Sequence, residues 1–273
     1  MSSPYWVKSL IKKTFFTRFF LSKLTHYRPI GRIVDQMLFK NDDIIYLPKD
    51  QVIKIDESIE APESVAAPSQ VVEHFIKRAN TRWIMNFCIC RYSNQCKNYP
   101  IELGCIFLGD AARDINPKFG RLATVEEALD HARRCREAGL VHMIGRNKLD
   151  TVWLNIGPSQ RLMTICNCCP CCCLWKVLPV ITPTISGKIH RMPGIHMEVT
   201  EKCVGCGTCT KEGVCFVDAI RLEGERAVID QNECRGCGRC AAVCPKDAIR
   251  VVIENDAFIE NAIRRISNDV DVT

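Results

Sequence analysis

The spacing of the cysteines constrains this chain more than any other feature. Residues 203–215 carry Cys203-Val-Gly-Cys206-Gly-Thr-Cys209 and then Cys215, and residues 234–245 read Cys234-Arg-Gly-Cys237-Gly-Arg-Cys240-Ala-Ala-Val-Cys244-Pro245. Three thiols at two-residue gaps, with a fourth further on, suit a short loop wrapping three corners of an iron–sulfur cube. Structural zinc also uses Cys pairs two apart, but it gives no reason for the crowded third Cys or for Pro245. The strings head two copies of one pattern, in which Asp218-Ala-Ile-Arg221 answers Asp247-Ala-Ile-Arg250. Each copy predicts a cysteine loop, a short helical turn and a short strand, the pair related by a pseudo-two-fold axis. Gly205, Gly207, Gly236 and Gly238 lie between the thiols, where backbone amides must approach sulfur without a Cβ in the way.

On these motifs, residues 198–253 resemble the bacterial-type two-cluster ferredoxins. The resemblance implies two [4Fe-4S] clusters, each taking the fourth Cys of the other string. Cluster one then takes Cys203, Cys206, Cys209 and Cys244, and cluster two takes Cys234, Cys237, Cys240 and Cys215. The second string matches the family pattern fully. The first departs from it, with five residues between Cys209 and Cys215 and Phe216 where Pro is usual.

Nineteen cysteines in 273 residues exceed ordinary usage, and thiolate ligands need a reducing compartment. The expected setting is the cytoplasm of an anaerobe, with the chain free or peripheral at the membrane. No secretory leader and no transmembrane span are expected, because Lys and Arg interrupt the N-terminal apolar residues and no apolar run approaches a span's length. The net charge of +6 concentrates at one end: residues 1–32 hold seven Lys/Arg and no Asp or Glu. They also hold Trp6, Phe15, Phe16, Phe19 and Phe20. Such a segment either docks, through about residues 1–28, on a membrane surface or a partner, or packs on its own protein with the basic stems snorkelling. Nucleic-acid binding is not expected, since residues 198–253 balance nine acidic against eight basic side chains.

The expected organisation is a basic, aromatic-rich segment over 1–55, a linker over 56–70, a Cys-rich cluster domain over 71–180, a linker over 181–197, the ferredoxin-like unit over 198–253, and a polar helix and frayed tail over 254–273. The fold class is α+β, with the Cys-rich half mainly helical and the ferredoxin-like unit after it. A helix is predicted from Ser69 as N-cap through Val71, Val72, Phe75, Ile76 and Ala79. Thr124-Val-Glu-Glu127 is a capping box, Gly139 stops the helix it opens, and that helix's apolar face places Cys135 in the core. Thr151–Ile156 and Leu162–Ile165 read as strands.

A second constellation lies in this half: Cys88, Cys90, Cys96 and Cys105, then Cys166, Cys168, Cys169, Cys171, Cys172 and Cys173. Six cysteines within eight residues exceed what packing needs. Adjacent cysteines point in different directions, so one loop cannot give all six to one metal. Some ligate and others do not, and the two segments are expected to meet in space around at least one further cluster, with thiols enough for two. Phe87-Cys-Ile-Cys-Arg91, Gly139-Leu-Val-His142 and Ile165-Cys-Asn-Cys-Cys169 resemble a family of little-described iron–sulfur proteins of anaerobic archaea and bacteria. That resemblance implies cluster binding and no particular activity. A zinc-stabilised or redox-inert domain is the alternative. Arg91 reads as a countercharge to a cluster or a surface ion pair, and His142 as a ligand, a proton carrier or a structural residue.

No phosphate loop, dinucleotide fingerprint or nucleophile–base pair is present. No catalytic residue is named. The chain reads as an electron-transfer protein, a ferredoxin or redox-complex subunit with a redox-protein donor and acceptor. Two alternatives stand: a reductase with an open or unusual central cluster, and a cluster scaffold.

Overall fold

Side chains that alternate along short apolar strands set the architecture. The computed structural model describes residues 2–50 and 67–273, so positions 56–66 of the expected first linker lie outside the described residues. Strands β1 (Asp43–Tyr46), β2 (Arg82–Met85), β3 (Ile106–Leu108), β4 (Gly120–Leu122), β5 (Val141–Arg146), β6 (Met163–Cys168) and β7 (Ile189–Arg191) form one sheet in the order β4-β2-β3-β6-β5-β1-β7. Neighbours run antiparallel except β1 and β7, which are parallel. The fold is α+β, and the Cys-rich half, though more of its residues lie in helices than in strands, is built around this sheet, which was not expected. Its strands hold three to six residues, too few to declare themselves.

The period of two divides the sheet's faces. Ile45, Ile84, Ile106, Ile144 and Ile165 point to one side, against the helices α4 (Ser69–Arg78), α6 (Val125–Glu137) and α10 (Phe258–Asp269). Ile44, Tyr46, Val141 and Met143 point to the other, and so do Cys166 and Cys168, whose register partners are Met143 and Val141. The strand alternation in Cys166-Asn-Cys168 therefore delivers two thiols to one face.

Helix α6 begins as its sequence dictates, with Thr124 Oγ1 accepting from Glu127 N (3.2 Å) and Glu127 Oε2 accepting from Thr124 N (2.9 Å). Cys135 is fully buried on it. Helix α4 departs in detail: Ser69 is its first helical residue, not its cap, and the Ser69 backbone N–H donates to Asp50 Oδ1 (3.1 Å). Residues predicted as a strand at 151–156 instead lie in α7 (Lys148–Leu154) and its turn. There Trp153 Nε1 donates to Asp150 Oδ1 (2.8 Å), and Asn155 closes the helix in the left-handed conformation at φ 51°. One turn of side-chain hydrogen bonding and an Asn stop outweigh the strand propensity of Thr-Val-Trp.

Residues 181–197, expected as a linker, carry α8 (Pro183–Ser186), β7 and the start of β8 (Ile195–Val199). Beyond them, β8 pairs with β11 (Ile249–Ile253), and β9 (Ile220–Glu223) pairs with β10 (Arg226–Ile229), all antiparallel. The C-terminus is anchored, not frayed: Val270 and Val272 are buried, and the Asn80 N–H donates to Val272 O (2.8 Å). Large side chains buried like these contribute roughly 1.5–3 kcal/mol each. Arg265 binds Asp43 bidentately (2.7 and 2.9 Å), fixing α10 to β1.

The N-terminal segment folds as α1 (Val7–Thr14), α2 (Arg18–Leu24) and α3 (Arg28–Val34). It packs through Phe15 and Phe19, while Trp6, Phe16, Phe20 and Tyr27 remain exposed, Phe16 at 77%. The self-packing alternative holds for Phe15 and Phe19, while the other aromatic side chains face outward. Among the described residues, no helix is long and apolar enough to cross a membrane.

Candidate metal centres

The two cysteine strings fold into matching loops. Gly205 and Gly236 have φ of 63° and 65°, where a side chain would be strained. Asp218 and Asp247 match in the same way, at 53° and 48°. Behind them the Ala219 N–H donates to Cys215 Sγ and the Ala248 N–H to Cys244 Sγ, each at 3.3 Å. The Ala227 and Gly236 N–H groups donate to Cys203 and Cys234 Sγ, each at 3.4 Å. Amide donors aimed at thiolate sulfur stabilise charge on a cluster's ligands. One hollow is lined by Cys203, Cys206, Cys209 and Cys244, and another by Cys215, Cys234, Cys237 and Cys240. The fourth Cys of each string thus faces the other string's hollow. Cys206, at the rim of the first, is exposed.

The central cysteines separate into two groups. Cys88, Cys90, Cys105, Cys166, Cys168 and Cys173 line a largely apolar cavity of about 330 Å³, floored by β6 and roofed by Phe15, Arg18, Leu21, Trp153 and Trp175. They lie as close pairs, Cys105 with Cys166 at 3.7 Å and Cys168 with Cys173 at 3.3 Å between sulfurs. Hydrogen bonds from the Cys166 and Cys173 thiols, then the charge of Arg239, hold Cys168 well below an ordinary thiol. The Cys90 thiol and then Arg91 bring Cys88 down to about 7. The other four, Cys96, Cys169, Cys171 and Cys172, gather in a knot that touches the cavity through Cys169. Cys135 is no part of either group, and burial pushes its thiol up to about 12.

Arg91 and Arg239 supply the positive charge here. Arg91 is fully buried and, among the described residues, pairs with no carboxylate. Its guanidinium donates to Pro100 O (2.7 Å), Asn167 O (2.7 Å) and Leu103 O, clamping the Cys88–Cys105 loop to β6. Burial opposes its charge, and Cys88, Cys169 and Cys105 sustain it. A buried guanidinium whose only protein anions are thiolates marks an anionic centre. Arg239, between Cys237 and Cys240, donates to Cys168 O and lies 5.6 Å over the Phe216 ring. Tyr46 stands beside it, its ring 4.8 Å from that of Phe216 and its hydroxyl 4.0 Å from Cys173 Sγ. The hollow of Cys215 and Cys237 therefore adjoins the cavity through Arg239, Phe216 and Tyr46.

His142 is structural in this geometry. Asn167 Nδ2 donates to Gly104 O (2.7 Å), which turns Asn167 Oδ1 to accept from His142 Nδ1 (2.8 Å). Burial lowers the His142 pKa to about 4, so the ring is neutral. Two cavity-lining groups gave no sequence signal. Asp150 is buried and accepts from Asn147 Nδ2 (2.7 Å), Thr164 Oγ1 (2.8 Å) and Trp153 Nε1, and burial raises it to about 6. Arg18, inside the basic N-terminal run, turns inward to the cavity roof.

A 4Fe-4S binding domain model matches residues 227–250, which include Cys234, Cys237, Cys240 and Cys244. The chain carries a [4Fe-4S] ferredoxin domain near its C-terminus. Over 49 residues it is 47% identical to a subunit of the ion-translocating oxidoreductase complex of Methanosarcina acetivorans, covering 18% of each chain. It is 35% identical over 88 residues to the indolepyruvate oxidoreductase subunit IorA of Archaeoglobus fulgidus, covering 32% of this chain and 12% of that one. Against the ferredoxin 7Fe of Hydrogenibacillus schlegelii the figures are 41% over 51 residues, 19% and 65%. The matched segment thus spans under a fifth of the two oxidoreductase subunits. No solved structure matches the chain. The ferredoxin domain binds [4Fe-4S] clusters.

Proposed function

We propose that the chain relays single electrons from a redox partner through two [4Fe-4S] clusters in residues 198–253 to a third centre in the cavity. Cluster one is held by Cys203, Cys206, Cys209 and Cys244, and its exposed Cys206 makes it the entry. Cluster two is held by Cys215, Cys234, Cys237 and Cys240. The third centre takes its ligands from the cavity thiols within residues 71–180. The observation that carries this order is the bridge of Arg239, Phe216 and Tyr46 between the Cys237 loop and Cys168 and Cys173. Arg91 and Arg239 would offset the charge of an added electron, and the apolar roof of Phe15, Leu21 and Trp175 would exclude water.

The relatives' names, subunits of an ion-translocating oxidoreductase complex and of an indolepyruvate oxidoreductase, support a role as one subunit among redox partners. The exposed face of Trp6, Phe16, Phe20 and Tyr27, edged by Lys12, Lys13 and Lys23, is the proposed docking surface for that partner. Because Phe15 and Arg18 roof the cavity, the clean probe is Phe16→Ser with Phe20→Ser, not removal of residues 1–28. The double variant should keep its iron and lose partner-dependent reduction.

The cavity favours a second reading, in which the third centre reduces a small apolar molecule held beneath Trp153 and Trp175. One experiment bears on both readings: iron, sulfide and electron paramagnetic resonance on anaerobically purified protein, with Cys237→Ala and Cys90→Ala compared. About twelve irons are expected in the parent. Cys90→Ala should lose only the central signal, and Cys237→Ala should also slow reduction of the central one. About eight irons in the parent, untouched by Cys90→Ala, would remove the third centre and with it the second reading.

A further inference from the structure

The knot of Cys96, Cys169, Cys171 and Cys172 has a geometry unlike that of the other cysteines. All four sulfurs lie within 4.8 Å of one another. Cys171 Sγ stands 3.6 Å from Cys96 Sγ and 3.7 Å from Cys169 Sγ. Four thiolates at about 2.3 Å from one zinc ion, at tetrahedral corners, are about 3.8 Å apart. A cube demands more, because each thiolate binds a different iron and projects outward from it. Among the described residues, no other three Cys, His, Asp or Glu side chains come within 4.8 Å of one another. The thiols of residues 198–253 form no such close group, while this knot has closed to the dimensions of a single ion.

The surroundings fit a closed structural site. Cys169 and Cys172 are buried, Cys96 and Cys171 half-buried, and Leu103, Leu140, Cys135 and Tyr99 pack around them. The Cys172 N–H donates to Cys169 Sγ (3.4 Å), the kind of outer contact that fixes a thiolate ligand. Asn94 Nδ2 donates to Cys90 O (2.9 Å) and Cys172 O (3.2 Å), holding the two contributing loops together. Of the four, Cys169 alone also lines the cavity, and four thiolates around one ion leave it no open coordination position there.

We propose that Cys96, Cys169, Cys171 and Cys172 bind one zinc ion in a tetrahedral, four-thiolate structural site distinct from every iron–sulfur centre of the chain. Zinc is the metal because tetrahedral thiolate sites select zinc or iron, and zinc binds a given thiolate set more tightly than iron(II). Binding displaces the four thiol protons to solvent and involves no electron transfer. The ion staples the Cys96 loop to the turn after β6. It thereby sets the positions of Cys88, Cys90 and Cys105 on one loop and of Cys168 and Cys173 on the other. Ten central thiols then divide into four for zinc and six for the cavity.

The test is zinc and iron per chain by mass spectrometry, on full-length protein purified without oxygen, for the parent, Cys171→Ser and Cys135→Ala. One zinc is expected in the parent and in Cys135→Ala, and less than about a tenth of that in Cys171→Ser with its iron retained. Cobalt(II) exchanged into the parent provides a readout that does not depend on the variant folding: the tetrahedral thiolate absorption bands should appear without loss of cluster absorbance. A parent free of zinc, a single sulfide-free iron in its place, or Cys171→Ser losing iron while keeping zinc would each overturn the assignment. The zinc count is independent of the electron route, since an eight-iron protein can still hold one zinc.

Discussion

Replacing Arg91 by Met removes a buried cation while keeping most of the side chain's length. Pro100 O, Asn167 O and Leu103 O lose their donor together. The bonds to Asn167 O and Leu103 O are buried, and that to Pro100 O is half-buried. A buried acceptor left without a partner costs about 1–3 kcal/mol, so the two buried ones cost on the order of 2–6 kcal/mol. Against a typical total stability of about 5–15 kcal/mol, the Cys88–Cys105 loop cannot stay on β6. The thiolates also lose their cation. Arg91→Met should therefore lose the central metals and keep the iron of residues 198–253, with a lower urea midpoint by circular dichroism. Arg91→Lys keeps the charge but not the planar fork, and should fall between the two. Parent-like iron, zinc and midpoint in Arg91→Met would refute the reasoning, because neither the three acceptors nor the charge balance would then matter.

Three further perturbations read other parts of the structure. An alanine at Gly104 would place its Cβ 2.5 Å from Met85 O and 2.7 Å from Phe87 O, so Gly104→Ala should lower the unfolding midpoint by about 1–3 kcal/mol and displace Cys105; an unchanged midpoint and iron content would contradict this. A unit charge about 6 Å from a thiolate is worth about 2–3 kcal/mol at an effective dielectric near 20, the scale of what Arg239→Gln would remove from beside Cys237 of cluster two. The potential of that cluster should fall by up to about 100 mV in a redox titration, and no shift would deny Arg239 its place between the centres. The Asp42 carboxyl is pushed up to about 7, chiefly by burial, so the folded chain keeps a proton that the unfolded chain releases near pH 4. Stability should accordingly fall as pH rises from about 4 to 8, and Asp42→Asn should flatten that slope in Tm; Asp150 acts in the same direction, and an unaltered slope would count against Asp42.

What the sequence disclosed follows from where the physical constraint is local. The loops around Cys203 and Cys234 were legible because cube binding fixes spacing within a dozen residues, down to the paired Asp218 and Asp247. The capping box of α6 was legible for the same reason. The sheet was not. All six residues of β5 are buried, so no alternation marks it, and β1 is four residues whose partners lie about 100 and 145 positions away. The division of the central thiols was equally hidden. Alternation in β6 accounts for Cys166 and Cys168, but only the turn after it sends Cys169, Cys171 and Cys172 away from Cys173. Asp150 escaped because its role depends on Thr164 and Asn147 meeting it in space.

The place of β1 bears on how the chain is assembled. A strand made from residues 43–46 lies between β5 and β7, and its parallel neighbour ends at residue 191. Strands β1 to β6 can pair with one another as the ribosome releases them, whereas the edge of the sheet beyond β1 stays open until β7, about 145 residues after its partner, is made. Long-range closure of this kind is slow. The cavity's thiols are thus all present on the growing chain before the sheet edge beside them is complete. Delivery of a central metal would have its natural interval there, after Cys173 emerges and before β7 completes the sheet edge.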